Sequence, residues 1–426
     1  MAVKLEEHKS LSEHKAIEKM PVPAKVYIPL SQHLGKPCVS LVKSGDQVLV
    51  GQKIASLEAK IFAPIHSSVS GKVLGIQNYP HPVLGQAQAI VIENDGQDSR
   101  LSSFVLRPSQ EIDALTSEQI RNIVFEAGIV GMGGASFPTY IKLTPPKPLQ
   151  TMIVNGAECE PYLTADYRLM VEKTREILKG IDLVSRCLGA KEGVIAIEDN
   201  KPEAIRAFNS EISVTDYRLR ILKSQYPQGG EKQLIKSVVR KEVPPGKLPF
   251  DIGVSVHNVG TVFAVYEAVY LNKPLYERVV TVTGKCVSNP KNLLVRIGTP
   301  IKELISFCGP LTEEPAKIIS GGPMMGIAQW TDEVPVIKST TGIVLMNKQE
   351  VKTRQEEFCI RCGACVRNCP AGLMPTLINL ASQKERWQDA KFYGASDCIE
   401  CGLCSYICPS NINLVQSIRR AKGELR

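Results

Sequence analysis

Two runs of cysteines near the end of the chain have the spacing that binds iron–sulfur clusters. Each run follows the pattern C-x2-C-x2-C-x3-C-P, and together they hold eight of the 13 cysteines. Three closely spaced thiolates can bind one face of a [4Fe–4S] cluster, and the proline turns the chain away after the fourth. The first run contributes Cys359, Cys362, Cys365 and Cys369, and the second contributes Cys398, Cys401, Cys404 and Cys408.

The fourth cysteine of each run is expected to bind the cluster of the other run, as in two-cluster proteins with this spacing. One cluster then uses Cys359, Cys362, Cys365 and Cys408, and the other uses Cys398, Cys401, Cys404 and Cys369. The alternatives are zinc sites, which present cysteines as separated pairs, and disulfides, which a reducing compartment disfavours. The sequence therefore favours two clusters that form a path for electrons. Of the five scattered cysteines, interpreted as buried hydrophobic residues, only Cys159 lies in a candidate site.

A second candidate site is the glycine-dense segment GMGGASFPTYIK, which begins at Gly131 and ends at Lys142. Gly131, Gly133 and Gly134 let backbone amides approach a phosphate closely, and Lys142 supplies a positive charge. No Gly-Lys-Ser/Thr sequence follows and no clear strand precedes, so the segment is neither a Walker loop nor a simple dinucleotide fingerprint. On spacing alone, a structural turn is about as well supported as a phosphate site.

The segment NGAECEP follows a predicted strand at 151–154 and brings Asn155, Glu158 and Glu160 to its end. Two acids at the carboxyl end of a strand can bind ribose hydroxyls or a flavin edge, or they can be solvated surface charges. The sequence leaves both interpretations open.

Two further segments open predicted helices. QGGE at 228–231 places Gly230 and Glu231 at the start of one helix, and HNVGT at 257–261 places Asn258 and Thr261 at the start of another. Helix N-termini favour anions, and the loops of a parallel sheet meet at the carboxyl ends of its strands. We therefore expect these segments and the glycine segment to form one cofactor pocket.

The chain divides into five parts that differ in their pattern of residue types, and these parts contain the elements that position the candidate residues. Residues 1–22 are charged and aperiodic, which indicates an arm or wrapping segment. Residues 23–100 consist of short strands and turns. Residues 101–272 alternate strands with helices, which predicts an α/β domain with a parallel sheet. Residues 273–345 again have the sequence pattern of β-strands, and residues 346–426 form the cysteine domain.

Composition excludes several classes of function. The 426 residues carry a formal net charge of +8, but lysine and arginine are spread along the chain and aromatic residues make up only 6%. This favours an ordinary solvated surface over a nucleic-acid groove. No apolar run approaches the roughly 18 residues that a membrane span needs, and the first residues lack the apolar core of a signal peptide. We expect a cytoplasmic protein, or one attached to a membrane from that side.

The glycine segment and NGAECEP resemble two loops of the NADH-binding flavin subunit of respiratory complex I, the second of which reads NADESEP. This resemblance implies FMN-binding positions at Gly131, Gly133, Gly134, Lys142, Asn155, Glu231, Asn258 and Thr261. It also implies NADH-binding positions at Phe137 and Glu160. Ala157, Met132 and Gly230 stand where that family has an aspartate, an arginine and the first of two acids.

Nearly the whole chain resembles the RnfC family, the C subunits of the Rnf ion-translocating ferredoxin:NAD oxidoreductase. Three segments carry this resemblance: PAKVYIPLSQHLG from Pro23, YPQGGEKQLI from Tyr226 and SGGPMMG from Ser320. Of the Gly-Gly-His-Pro start of that family only His8-Lys9 remains. The resemblance implies membrane-embedded partner subunits, with ferredoxin as an indirect partner.

The implied fold is a multidomain α/β protein with added β modules. Residues 23–100 are similar to a barrel-sandwich hybrid (biotinyl/lipoyl-like) domain, which we interpret as structural because no Met-Lys-Met occurs. Residues 101–272 form the Rossmann-like FMN/NADH domain, residues 273–345 a β-grasp (soluble-ligand-binding) domain, and residues 346–426 a dicluster ferredoxin-like domain.

The function implied is an NADH-dependent flavin/iron–sulfur oxidoreductase, peripheral on the cytoplasmic side of the membrane. Electrons would pass between NAD(H), FMN and the two clusters, and no side-chain acid or base is required. One alternative is a cobalamin reductase with the same cofactors. Another is an electron-transfer adaptor with a degenerate flavin pocket, for which Ala157 and Gly230 are the best support.

Overall fold

The computed structural model describes residues 3–212, 216–351 and 355–425. Its strands are β1 (Ile17–Lys19), β2 (Lys25–Pro29), β3 (Val39–Ser40), β4 (Gln47–Val48), β5 (Lys53–Ser56), β6 (Ile65–His66), β7 (Gly71–His81), β8 (Gly85–Asn94), β9 (Thr151–Gly156), β10 (Glu192–Glu198), β11 (Tyr217–Leu222), β12 (Val254–Asn258), β13 (Glu277–Thr283), β14 (Lys291–Arg296), β15 (Lys317–Ser320), β16 (Ile327–Gln329) and β17 (Gly342–Met346).

Its helices are α1 (Ser109–Ala114), α2 (Ser117–Glu126), α3 (Thr139–Lys142), α4 (Ala165–Glu172), α5 (Thr174–Leu188), α6 (Pro202–Ile212), α7 (Glu231–Val239), α8 (Val259–Leu271), α9 (Ile301–Phe307), α10 (Ala364–Arg367), α11 (Pro375–Gln383), α12 (Trp387–Phe392), α13 (Leu403–Tyr406) and α14 (Leu414–Glu424). Short 3-10 helices occur at Lys9–Leu11, Pro249–Ile252 and Ala395–Asp397. Within the described ranges, no helix has the length and apolar character needed to cross a membrane.

The first β module consists of two small sheets packed around one core. One sheet has the order β2-β8-β7-β4 and the other β3-β5-β6. The long hairpin β7–β8 is antiparallel, and its register shifts between Val73 and Gly75. Alternate residues of β2, Val26 and Ile28, are fully buried in the core between the sheets, as expected for strands with one covered face.

The central domain is a four-stranded parallel sheet in the order β11-β10-β9-β12. Both faces are covered. Met152 and Val154 of β9 pack in the same core as α2, α5 and α8, whereas Ile153 packs in a separate core with α7. The strand order reverses between β9 and β12, and such switch points are where ligands bind in open parallel sheets.

Residues 165–188 form two helices instead of one continuous helix. Helix α4 ends and α5 begins around Lys173, whose φ of −130° and ψ of 31° are not helical. Residues of α5 then pack against α8 behind the sheet. The break orients α4 so that its first turn lies beside the loop that follows β9.

The third module is a six-stranded sheet in the order β1-β14-β13-β17-β15-β16. Its edge strand β1 comes from the N-terminal arm and pairs in parallel with β14, with Ile17 opposite Asn292. The arm therefore spans from the β-grasp sheet to the central domain, a connection that its aperiodic sequence does not reveal.

The cysteine domain is helical among its described residues and contains an approximate internal repeat. Helices α10 and α11 of the first half correspond to α13 and α14 of the second. Each cysteine run bends through two residues with positive φ: Arg361 and Gly363 in the first, Glu400 and Gly402 in the second. This shared turn wraps each run around a cavity.

Candidate functional site

The glycine loop (residues 131–137) lies between α2 and α3 and is held against the start of α8. The backbone amide of Met132 donates to Thr261 Oγ1 at 2.9 Å. A Cβ on Gly133 would lie 2.7 Å from Asn258 Nδ2, so only glycine fits there, whereas a Cβ on Gly134 would meet open space. Gly133 and Gly134 are exposed, and Phe137 is partly buried. The loop therefore presents accessible backbone beside a helix N-terminus.

The two asparagines of the predicted site face each other across the switch point of the sheet. Asn155 is the penultimate residue of β9 and is in register with Asn258, the last residue of β12. The side-chain oxygen of Asn258 accepts hydrogen bonds from the amides of Gly260 (2.9 Å) and Thr261 (3.3 Å), which caps α8. The side-chain nitrogen of Asn155 donates to the carbonyl of Gly229 at 2.9 Å.

Lys142 and Glu231 form an ion pair across the same edge of the sheet. Lys142 Nζ lies 2.9 Å from Glu231 Oε1 and also donates to the carbonyl of Val256 at 2.7 Å. Glu231 is the first residue of α7, and Gly230 is its N-cap. The structure thus brings together the glycine loop, both asparagines, and the lysine and acid that flank them.

The acidic loop (residues 157–163) directs its two carboxylates away from each other. Glu158 accepts hydrogen bonds from the amides of Asp166 (2.8 Å) and Tyr167 (3.2 Å), so it satisfies the first turn of α4. Glu158 has a φ of 40° and Tyr162 a φ of 71°, a left-handed conformation that costs roughly 1–3 kcal/mol for a non-glycine residue.

Glu160 reaches the loop at residues 320–326 of the β-grasp domain. Its oxygens accept hydrogen bonds from the amides of Met324 (3.1 Å) and Met325 (3.0 Å). Burial raises the pKa of Glu160 to about 7, and the two amide hydrogen bonds oppose that rise. Both acids therefore have protein donors already, which the sequence alone did not indicate; their binding of ribose or flavin stays a prediction.

Two buried lysines that sequence reasoning missed lie beneath the acidic loop. Lys9, from the N-terminal arm, donates to the carbonyls of Glu158 (2.9 Å), Glu160 (2.9 Å) and Leu163 (2.6 Å). Lys201 donates to the carbonyl of Ala157 at 2.7 Å and pairs with Glu198 at 2.9 Å. Burial lowers the pKa of Lys9. Because these partners are distant in sequence, only the His8-Lys9 remnant of the family's start could have drawn attention to Lys9.

Asp166 is a further missed residue at the pocket. It accepts a hydrogen bond from Asn258 Nδ2 at 2.6 Å. Burial, followed by the neighbouring Glu158 carboxylate, raises the pKa of Asp166 to about 7. Burial also lowers the pKa of the nearby Arg278 to about 10, although the Asp166 carboxylate opposes this. Groups with displaced pKa values concentrate at functional sites, and here they lie directly behind the glycine loop.

The inner set of cysteines is Cys369, Cys398, Cys401 and Cys404, and these four line one cavity of about 350 Å³. Apolar side chains of Leu373, Val415 and Ile418 complete its wall. Burial raises the pKa of Cys401 to about 11 and that of Cys404 to about 12. Thiolates here need a metal to offset the cost of their burial.

The outer set is Cys359, Cys362, Cys365 and Cys408, which line a second cavity of about 320 Å³. Cys359 and Cys362 are exposed, and the adjacent side chains of Phe358 and Ile360 are 97% and 68% exposed. Each cavity therefore takes three cysteines from one run and the last cysteine of the other, the crossed arrangement that the motif predicts.

The four thiols of each set line one cavity, as the ligands of a [4Fe–4S] cluster do. Amide-to-sulfur hydrogen bonds from Leu373 to Cys369 (3.4 Å) and from Glu400 to Cys398 (3.3 Å) are contacts typical of iron–sulfur sites.

The inner set touches the loops of the pocket directly. Tyr226, in the loop that precedes α7 (residues 225–230), donates its hydroxyl to the carbonyl of Cys401 at 2.8 Å. Its oxygen also lies 3.3 Å from Glu160 Oε1. Tyr226, Cys401, Cys159 and Met324 pack in one apolar cluster. Cys159, the one scattered cysteine in a candidate loop, thus lies between the acidic loop and the inner set, with its sulfur 3.2 Å from the amide of Gly229.

Comparison with known proteins gives each module a match. Family models match as the RnfC barrel sandwich hybrid domain at residues 2–97, the Nuo51 FMN-binding domain at 124–267, the SLBB domain at 279–328 and the 4Fe-4S dicluster domain at 358–412. These matches confirm the predicted fold class. They also support FMN and two [4Fe–4S] clusters as cofactors.

A solved structure with a similar fold is that of an NAD+-reducing [NiFe]-hydrogenase in the H2-reduced state. It is 17% identical, with a TM-score of 0.50, and the match covers 76% of this chain and 67% of the other. At this identity the likeness concerns the fold alone.

Curated relatives match nearly end to end. The C subunit of the proton-translocating ferredoxin:NAD(+) oxidoreductase complex of Clostridium ljungdahlii is 46% identical over 99% of this chain and 92% of its own length. The C subunit of the Na(+)-translocating complex of Acetobacterium woodii is 44% identical over 95% and 91%. The C subunit of the ion-translocating oxidoreductase complex of Rhodobacter capsulatus is 44% identical over 99% and 82%. This chain therefore belongs to the RnfC family of the ion-translocating ferredoxin:NAD(+) oxidoreductase complexes, as its sequence motifs predicted.

Proposed function

We propose that this chain is the NADH-oxidising or NAD+-reducing subunit of a membrane-bound, ion-translocating ferredoxin:NAD+ oxidoreductase. It passes electrons between NAD(H), FMN and two [4Fe–4S] clusters, and its partners are the other subunits of the complex. The relatives and the matched domains support this assignment. The observation that carries it is the hydrogen bond from Tyr226 to the Cys401 carbonyl, since it joins a loop of the flavin pocket to a cluster loop.

FMN suits the pocket at the switch point of the sheet. The exposed backbone of Gly133 and Gly134 can approach a phosphate, and the N-terminus of α8 favours its negative charge. Lys142 supplies a cation at the same edge. When bound, the flavin exchanges two electrons with a nicotinamide and one at a time with iron–sulfur clusters. Asn155, Glu231, Asn258 and Thr261 frame the place that it would occupy.

NAD(H) is the proposed second ligand of this pocket. Phe137, partly buried at the end of the glycine loop, offers a ring on which a base or nicotinamide can stack. If Glu160 binds the nucleotide directly, its carboxylate must release the amides of Met324 and Met325. Otherwise Glu160 acts on the nucleotide indirectly, by holding these two amides in place. The protein's task is to align the two rings and exclude water, because the cofactors supply the chemistry.

The contacts also support an order for the two clusters. The inner set adjoins the pocket through Tyr226 and through Gln233, whose amide reaches the carbonyl of Pro370. It also adjoins the 320–326 loop at Gly402, where an added Cβ would lie 2.7 Å from the Met324 carbonyl oxygen. The outer set has two exposed cysteines. We infer that electrons pass between the flavin and the outer cluster by way of the inner cluster.

The proposed location is the cytoplasmic side of the membrane, with the chain peripheral to the complex. NAD(H) is a cytoplasmic substrate, which supports that side. Ferredoxin, which the names of the relatives include, would exchange electrons with this chain indirectly, through another subunit.

The experiment that tests the function is reconstitution with FMN, iron and sulfide followed by anaerobic addition of NADH. We expect bound FMN, with its visible absorption bleached by NADH. A protein that holds both clusters but no FMN would instead be the electron-transfer adaptor considered from the sequence. NADH-dependent bleaching followed by rapid reduction of cob(II)alamin would favour the cobalamin reductase.

A further inference from the structure

The N-terminal arm extends across the loops of the flavin pocket. Val3 pairs with Tyr226 as an isolated antiparallel bridge. The Glu7 carbonyl accepts the amide of Tyr162 at 2.8 Å, and the His8 ring stacks on Tyr162 with centroids 4.6 Å apart. Ser12 Oγ lies 2.7 Å from Thr164 Oγ1. A segment that looks aperiodic in sequence thus contacts both the acidic loop and the loop that precedes α7.

Lys9 is the centre of this contact. Its side chain is 4% exposed, and an ammonium group has three N–H donors. All three find carbonyl acceptors in the acidic loop, at 2.6 to 2.9 Å. The partners span residues 158–163, so a single cation fixes most of the loop from below.

The acidic loop needs such a partner because its backbone is strained. Glu158 and Tyr162 both have positive φ. Such strained conformations persist only where contacts with the surrounding residues hold them in place. Lys9 binds the carbonyl of Glu158, and the arm binds the amide and ring of Tyr162. Each strained residue is therefore contacted by the arm in addition to its contacts within the rest of the chain.

We propose that the arm is a built-in part of the flavin pocket and that Lys9 is a positioning residue for the acidic loop. Lys9 acts through the three loop carbonyls that it binds. Lys9 fixes the loop geometry in which Glu158 accepts hydrogen bonds from the amides of α4 and Glu160 accepts them from the 320–326 loop. This inference rests on the proposed function, in which the acidic loop borders bound FMN.

The test compares Lys9→Met with the wild type in two measurements. Hydrogen–deuterium exchange on the folded protein should show faster exchange at residues 157–163, with the inner and outer cysteine runs unchanged. The dissociation constant for FMN should rise about tenfold or more, since tenfold corresponds to about 1.4 kcal/mol, within what one charged hydrogen bond contributes. Iron content should stay at the wild-type level.

Three further variants make the result specific. Lys15→Met removes an exposed arm lysine and should leave both measurements unchanged. Ser12→Ala loosens the arm at Thr164 without removing the ammonium and should have a much smaller effect on FMN binding than Lys9→Met. Lys9→Gln keeps two N–H donors and should give an intermediate loss, which also provides a folded variant if Lys9→Met does not accumulate.

Each outcome has a defined meaning. Unchanged exchange and unchanged FMN affinity in Lys9→Met or Lys9→Gln would overturn the role of Lys9. Faster exchange spread evenly over the whole chain, or an equal loss in Ser12→Ala, would overturn it as well, because the ammonium would then only support general stability. A wild-type protein that binds no FMN would instead contradict the proposed function.

Discussion

The two cysteine cavities have nearly the same local structure but opposite surroundings. Both runs bend through paired residues with positive φ and place four thiols around a similar volume. The inner cavity, however, lies against Tyr226 and the 320–326 loop, whereas two cysteines of the outer cavity face solvent. The motif determines how a cluster is held, and the tertiary contacts determine what it exchanges electrons with.

The largest expected effect comes from removing one cluster at a time at equivalent positions. Cys401→Ser (inner) and Cys362→Ser (outer) alter the second cysteine of each run. With oxidised protein and NADH as the electron donor, reduction of the remaining outer cluster in Cys401→Ser should be about 100-fold slower than in the wild type, equivalent to about 2.7 kcal/mol of barrier. Reduction of the remaining inner cluster in Cys362→Ser should stay close to the wild-type rate, as followed by absorbance in a stopped-flow instrument.

Iron analysis and electron paramagnetic resonance would control that comparison, because each variant must retain its other cluster. Equal slowing in both variants would contradict an inner-to-outer order.

Solvent exposure should make the outer cluster the more labile of the two. Exposed thiolate ligands and their iron are accessible to oxidants and chelators, so we expect the outer cluster to be lost about tenfold faster, equivalent to about 1.4 kcal/mol. The measurement is the decay of the two paramagnetic signals in wild-type protein during incubation with a chelator. The single-cluster variants assign the signals, and simultaneous loss of both would refute the expected difference.

Removing the hydroxyl of Tyr226 should loosen the junction at the inner cavity. Tyr226→Phe deletes the hydrogen bond to the Cys401 carbonyl, worth roughly 1 kcal/mol, so electron transfer between flavin and inner cluster should slow about fivefold. FMN affinity and the KM for NADH should not change. Tyr79→Phe, which removes a hydroxyl bonded to Glu333 far from both cavities, is the matched control. An effect on KM alone would place Tyr226 in nucleotide binding instead.

The smallest expected effect is the titration of one carboxyl beside the inner cavity. Because burial raises the pKa of Glu160 from 4.5 to about 7, the folded protein keeps a proton between those values that the unfolded chain has lost. This group's contribution to stability is therefore largest at low pH and decreases as the pH rises from about 4.5 to 7.

Infrared difference spectroscopy should show a protonated carboxyl band that disappears near pH 7 in the wild type and is missing in Glu160→Gln. A wild-type band that persists in Glu160→Gln would assign the proton to another group, and Asp166 is the candidate.

The local parts of this molecule could be predicted from sequence, and the long-range parts could not. The crossed cysteine sets follow from spacing because each run folds around its own turn. The glycine loop, Asn155 and Asn258 could be found because strand ends and helix starts are local signals. By contrast, Lys9 binds carbonyls about 150 residues away, and nothing near Lys9 in the sequence indicates them.

The acidic loop is a second example of long-range contacts that could not be predicted from the sequence. Residue type left open whether Glu158 and Glu160 bind a ligand or are solvated, and a carboxylate binds whichever donors the fold presents. For Glu158 these are the amides of α4, and for Glu160 they are the amides of a loop in a different domain. Tyr226 was predicted only as part of a family segment, and its contact with Cys401 depends on how two domains pack.

We propose that electrons pass between NAD(H) and the outer cluster through the flavin and then the inner cluster. Rapid freeze-quench electron paramagnetic resonance tests it most directly. Wild-type protein carrying FMN and both clusters is reduced chemically, desalted and mixed anaerobically with NAD+. We expect NADH to form, with the inner cluster oxidised first and the outer cluster oxidised after it. Oxidation of the outer cluster before the inner one, or no NADH formed from fully loaded protein, would contradict it.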